Sequence, residues 1–122
     1  MILPIEKTSF DDSRFERRGD IWYAKTLCDF AKSQGYPIVD MPVWCIDLGQ
    51  SPFEIKNMKQ FIENYKRVED CSLDYPVILD DEGFIADGNH RLCKAILEGK
   101  DTIKAIRLLK MPAPDIKGNE EK

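Results

Sequence analysis

The sequence YPVILDDEGFIADGNHR, residues 75–91, decides the fold that we predict for this chain. Residues 76–79 and 84–86 are short apolar runs with β-branched residues, which are typical of strands. The turn between the two runs ends in Gly83, a residue that tolerates the positive φ of hairpin turns. Apolar residues then recur at helical spacing over 89–98. The stretch therefore predicts a strand, a turn, a second strand and a helix in direct succession.

The start of this helix combines groups that suit a bound anion. Backbone N–H groups and the positive end of the helix dipole favour negative charge at a helix N-terminus. An arginine and the only histidine of the chain follow the glycine of this turn and add side-chain donors suited to phosphate. We therefore predict a phosphate or nucleotide cradle, whose binding residues are Gly88, Asn89, His90, Arg91 and Lys94.

Two residues of this turn are candidate catalytic residues, and each has alternative roles. Asp87 could act as a base toward a substrate hydroxyl, hold Mg²⁺, or serve as a turn or helix-cap carboxylate. His90 could hold phosphate, act as a general acid–base, or satisfy a turn. Arg91 could bind phosphate or form an ion pair with Asp87 or Glu98.

The acidic run 80–82 resembles a metal cluster, but we interpret these carboxylates as polar side chains of a hairpin turn.

Composition bounds the class of protein. The chain has 122 residues, of which 43% are hydrophobic and 33% charged, and this balance favours one globular domain. The formal net charge of -4 and the pI of about 5.0 argue against a basic nucleic-acid coat. The four cysteines share no Cys-x-x-Cys spacing, which indicates reduced thiols rather than a zinc site. No run is long and apolar enough for a membrane span, so we expect a cytoplasmic protein.

The rest of the chain predicts a compact α+β domain with a small mixed β-sheet and packed helices. Its main body is residues 20–110, preceded by an irregular lead-in, 1–19, and followed by a flexible tail, 111–122. The other predicted elements are a helix over 20–33 capped by Asp20, an extended connector over 36–42, a strand over 43–48, a helix from Pro52 to about residue 69 with a capping box of Ser51 and Glu54, and an alternating strand over 102–108.

The segment from about residue 42 to 109 resembles the ParB/sulfiredoxin superfamily. In that superfamily a strand pair leads into a Gly-x-x-Arg turn, matched here by Gly88 and Arg91, and a helix and a further strand follow. The chain looks closest to a ParB-like group with an Asp-Gly-x-His-Arg motif. The resemblance implies a bound nucleoside triphosphate, ATP or CTP, with or without Mg²⁺. Backbone N–H groups at Gly88, and the side chains of His90 and Arg91, would contact its phosphates.

The sequence also departs from the best-known members of this superfamily. Sulfiredoxins place a reactive cysteine just before the His-Arg pair, where this chain has Asn89, and Cys93 lies one helical turn further on. ParB proper adds a helix-turn-helix domain for which this sequence has no room, so we expect DNA binding to be weak or absent. Sulfiredoxin chemistry and a CTP-driven DNA clamp are therefore disfavoured.

Three functions stay open at this point. The first is a nucleotide- or phosphate-binding module. The second is a small-molecule kinase or nucleotide hydrolase with Asp87 as base, for which Glu54 is the one additional carboxylate to test. The third is a partner-binding protein with a vestigial pocket, in which aromatic residues near the N-terminus mark a protein interface: Trp22, Tyr23 and Phe30.

Overall fold

The computed structural model describes residues 14–46 and 55–118 and has the predicted α+β architecture. In chain order its elements are β1 Arg14–Arg17, β2 Asp20–Tyr23, α1 Ala24–Gln34, β3 Val39–Pro42, a 3-10 turn Val43–Cys45, α2 Met58–Asp70, β4 Val77–Leu79, β5 Ile85–Asp87, α3 Asn89–Leu97 and β6 Thr102–Arg107.

A mixed four-stranded sheet forms the centre of the domain. The strand order is β3-β6-β4-β5, with β4 parallel to β6 and the other neighbours antiparallel. The predicted strand pair, the helix after it and the last strand are confirmed as β4, β5, α3 and β6. Every residue of β4 is buried, which is expected of a strand that is covered on both faces.

Side chains of β4 alternate between two apolar cores, because successive residues of a strand point to opposite faces. On one face, Val77 and Leu79 pack with Leu92 and Ala95 of α3. On the other face, Ile78 lies in a second buried cluster, whose further members are Trp22, Leu27, Ala31, Ala86 and Leu108. The sheet therefore separates α1 from α3. The start of α3 lies at the end of β5.

The N-terminal region differs from the prediction. Residues 20–23 form β2, which pairs with β1 in an antiparallel hairpin, and α1 begins only at Ala24. Arg18 and Gly19 both have positive φ, the conformation of a tight hairpin turn. The predicted helix start at Asp20 and the irregular character predicted for residues 14–17 are therefore wrong, whereas the helix itself is confirmed from Ala24 onward. Residues 1–13 lie outside the described residues.

The region before α2 also differs from the prediction. The strand is Val39–Pro42, within the predicted connector. The predicted strand 43–48 is wrong in its described part, where Val43–Cys45 form a 3-10 turn, and residues 47 and 48 lie outside the described residues. Trp44 is 81% exposed, so its aromatic character does not mark a buried strand. Asn57 caps α2 by accepting a hydrogen bond from Gln60 N at 2.8 Å. The capping box of Ser51 and Glu54 lies outside the described residues.

The described part of the C-terminal segment is attached to the N-terminal hairpin, whereas we predicted a flexible tail from residue 111. Ile116 pairs with Ile21, and Gly118 N donates to Asp20 Oδ1 at 2.7 Å. Asp115 accepts hydrogen bonds from Tyr23 N and from the Thr26 hydroxyl at the start of α1. A carboxylate at this position satisfies the Tyr23 N–H at the start of the helix and complements the helix dipole.

Trp22 has a structural role in this attachment. It is 3% exposed, and its indole N–H donates to Pro112 O at 2.8 Å. Its buried indole therefore belongs to the core rather than to an exposed aromatic interface. Among the described residues, no helix combines the length and the apolar character that crossing a membrane requires.

The acidic run 80–82 forms a turn that arginines neutralise, which agrees with our interpretation. Asp80 is fully buried, and its Oδ1 accepts from the backbone N–H groups of Glu82 and Phe84. Arg17 donates to Asp80 and Asp81 at 3.0 and 2.6 Å. The hydrogen bond from Arg17 lowers the pKa of Asp81 from its usual value. These contacts join the N-terminal hairpin to the β4–β5 turn.

Candidate functional site

Gly88 forms the corner between β5 and α3, and only glycine fits there. Its φ is +99°, a conformation that L side chains rarely adopt. A Cβ at this position would lie 2.8 Å from Val77 Cγ1 and 3.0 Å from Arg91 Nε. The first turn of α3 closes where Leu92 N donates to Gly88 O at 3.0 Å. The backbone therefore turns tightly over the buried strand β4, and the Arg91 side chain folds back over Gly88.

Asp87 and Arg91 form an ion pair across this corner. Arg91 Nη2 lies 3.2 Å from Asp87 Oδ2, and the two side chains are only 19% and 15% exposed. Burial raises the pKa of Asp87, while the charge of Arg91 and the neighbouring Gly88 N–H oppose that rise. Arg91 Nε is buried, and among the described residues it has no hydrogen-bond partner. A buried donor without a partner is unusual in native structures and needs an explanation.

His90 points toward α2. Its Nε2 lies 3.0 Å from Asn64 Oδ1, and Asn64 is 7% exposed. Burial lowers the pKa of His90, and the positive charges of Arg67 and Arg91 lower it further. These effects of the described residues favour the uncharged imidazole over the charged one.

Lys94 does not join this group. Its ammonium donates to Glu69 O at 2.9 Å and to Cys71 O at 2.7 Å, at the C-terminal end of α2. A lysine there satisfies free carbonyls and complements the negative end of the helix dipole. The structure therefore brings Asp87, Gly88 and Arg91 together at the start of α3, with His90 beside them.

The start of α3 lacks a side-chain cap among the described residues. The helix has nine residues and no acidic residue in its first turn. Asn89 is its first residue and is partly exposed. Arg91 supplies one positive charge, and Asp87 opposes it with one negative charge. These groups fit a phosphate, provided that Arg91 can exchange Asp87 for it.

A resident metal site is not apparent in the part of the chain that the structure describes. No group of three or more histidine, cysteine, aspartate or glutamate side chains is close enough there to hold a metal ion.

The thiols near the site are not activated nucleophiles. Burial raises the pKa of Cys28, and the charge of Asp87 raises it further. Burial also raises the pKa values of Cys71 and Cys93. Because the thiolate is the reactive form, these three cysteines are held as thiols. Cysteine chemistry of the sulfiredoxin type therefore finds no support at these three positions.

Asn64 and Arg67 are the site residues that our sequence reasoning missed. Both lie on α2, and Asn64 is 26 positions before His90. One signal could have indicated Asn64: it precedes Val68 by four residues and so shares the buried face of α2. A polar residue on a buried helical face requires a hydrogen-bond partner.

Comparison with known proteins adds no identity to this site. We find no family model, no curated protein and no solved structure that matches the chain.

Proposed function

We propose that this chain binds the phosphate groups of a nucleoside triphosphate, ATP or CTP, at the start of α3. The observation that carries the proposal is Arg91 Nε, a buried donor without a partner among the described residues, directly over Gly88. A guanidinium group binds phosphate through several donors in one plane, and a helix N-terminus without a side-chain cap adds backbone donors.

The proposal includes membership of the ParB/sulfiredoxin superfamily. Support comes from the order of elements around the site: two antiparallel strands lead into the Gly88 turn, and α3 and the sheet strand β6 follow. Arg91 follows Gly88 by three residues, which is the spacing of the Gly-x-x-Arg turn in that superfamily.

Binding requires Arg91 to change partners. In the structure it pairs with Asp87, whose negative charge would repel a phosphate at the same corner. Arg91 therefore turns from Asp87 toward the incoming phosphate, and protonation of Asp87 or a Mg²⁺ ion on the nucleotide relieves the repulsion. The raised pKa of Asp87 makes protonation easier than for an exposed aspartate.

The test is a calorimetric titration of the full chain with ATP, ADP, CTP and GTP, each with and without Mg²⁺. We expect one nucleotide to bind and the variant Arg91→Gln to lose at least about tenfold in affinity, since a charge-assisted hydrogen bond contributes roughly 1.5–3 kcal/mol. The control is Lys100→Gln, which removes one positive charge about 13 Å away, beyond the other end of α3.

Two results would contradict the proposal. One is equal nucleotide affinity in Arg91→Gln and in the unmodified protein. The other is no binding of any nucleotide, which would move support to a partner-binding protein with a vestigial pocket.

A second candidate function is an enzyme, a small-molecule kinase or a nucleotide hydrolase. It is favoured by the pair of a carboxyl with a raised pKa, Asp87, and a neutral imidazole, His90, at one corner. Groups with shifted pKa values are common in active sites. If the chain is an enzyme, Asp87→Asn abolishes turnover of the bound nucleotide and leaves its binding in place.

A further inference from the structure

The orientation of Asn64 determines which proton His90 carries. The Asn64 amide nitrogen Nδ2 donates to Gln60 O at 2.9 Å, one helical turn earlier on α2. The opposite orientation would place Oδ1 against that carbonyl oxygen, where two acceptors repel. Oδ1 must therefore face the imidazole, so His90 Nε2 is the donor in the 3.0 Å contact. In the neutral ring, Nδ1 then carries the lone pair.

The surroundings favour that neutral form. His90 is partly buried, and among the described residues two arginines disfavour its charged form: Arg67 from α2 and Arg91 from α3. Both cations disfavour a third positive charge. Asn64 itself is buried on α2, where an amide is costly unless both of its ends are hydrogen-bonded. Its two ends are satisfied by Gln60 O and by the imidazole, so the ring orientation and the amide orientation fix each other.

We propose that Asn64 is a positioning residue that holds His90 as the neutral Nε2–H tautomer. Arg91 and the backbone N–H groups at the start of α3 then bind the anion, without a charged His90. This second part rests on the proposed function, whereas the tautomer of the ligand-free protein does not. The assignment differs from the sequence-based expectation, in which His90 itself contacts phosphate as a donor.

The test uses the fact that the chain has one histidine. Nitrogen-15 NMR of the labelled full chain separates protonated from unprotonated ring nitrogens, and every imidazole signal belongs to His90. At pH 8, we expect Nε2 to be protonated and Nδ1 to be unprotonated. A predominant Nδ1–H tautomer, or an equal mixture, would overturn the proposal.

Two variants at position 64 separate positioning from a merely structural role. Asn64→Leu removes the acceptor, so the fraction of the Nε2–H tautomer should fall. Asn64→Asp keeps an oxygen acceptor and adds a negative charge, so the tautomer should be kept and the pKa of His90 should rise. The control is Asn57→Ala, which removes the N-cap of the same helix and should leave the ring signals unchanged. An unchanged tautomer in Asn64→Leu would contradict the role of Asn64. If Asn64→Leu does not fold, Asn64→Asp decides, and a lowered pKa of His90 in that variant would contradict the role of Asn64.

A titration with pyrophosphate tests the second part. We expect His90 to stay neutral at pH 8 when pyrophosphate saturates the protein, with its Nδ1 still unprotonated. An imidazolium formed on binding would show that His90 holds the anion as a charged donor, which would overturn the assignment. If pyrophosphate and nucleotides do not bind, the proposed function fails, and the tautomer measured in the ligand-free protein still decides the role of Asn64.

Discussion

Gly88→Ala tests the geometry of the corner from which the whole site is built. The substitution places a Cβ 2.8 Å from Val77 Cγ1 and 3.0 Å from two nitrogens of Arg91. Val77 is fully buried on β4, so it has little room to move. The positive φ costs alanine about 1–2 kcal/mol, and overpacking of a core contact costs about 1–3 kcal/mol. We therefore expect the free energy of unfolding to fall by about 2–5 kcal/mol.

The matched control is Gly99→Ala, just beyond the other end of the same helix. Gly99 also has a positive φ, +72°, but a Cβ there meets no atom within 4 Å. Gly99→Ala should therefore lower the free energy of unfolding only by the cost of a positive φ, about 1–2 kcal/mol. Urea unfolding followed by circular dichroism measures both variants, with the slope m as a check that the transition stays two-state. A loss in Gly88→Ala no larger than in Gly99→Ala would refute the argument that close packing fixes this corner.

Three further predictions concern charges. Asp87→Asn should strengthen the binding of Mg²⁺-free pyrophosphate roughly tenfold, because it releases Arg91, and weaker binding in calorimetry would contradict the exchange of partners. The Arg17 hydrogen bond keeps the pKa of Asp81 below its usual value, so this pair stabilises the fold above a pH of about 3.9 and is lost as the pH falls through the lower, folded-state pKa. The free energy of unfolding should thus fall less steeply at acid pH in Arg17→Gln than in the unmodified protein. An equally steep fall in both would contradict the stabilising role of this pair. Asp115→Ala should cost about 1 kcal/mol through the start of α1, as for other lost caps, and an unchanged urea midpoint would contradict that role.

The central part of the fold could be predicted from the sequence because its signals are local. The apolar runs of β4 and β5 and the glycine turns at Gly83 and Gly88 lie within a few residues of the structure that they determine. The ion pair of Arg91 with Asp87 was likewise one of the alternatives expected for Arg91, and these two residues are only four positions apart. Local backbone preference and short spacing therefore account for what was predicted correctly.

The errors arose where distant partners decide the structure. Asp20 followed by apolar residues suggested a capped helix, but residues 20–23 pair with β1 and Ile21 pairs with Ile116, so this segment is a strand. Lys94 has the spacing to share a helix face with His90, yet the packing of α2 beside α3 offers its ammonium two carbonyl acceptors instead. No local pattern encodes these partners, because each belongs to a different part of the chain.

The attachment of the C-terminal segment has a consequence for folding during synthesis. The carboxylate at the start of α1 comes from Asp115, 92 positions after its backbone partner Tyr23. A ribosome needs about 5–20 s to add that many residues. Through this interval the first hairpin and α1 lack their last partners, and contacts between such distant positions slow folding. We therefore expect the nascent chain to complete its N-terminal elements only after residue 118 has emerged.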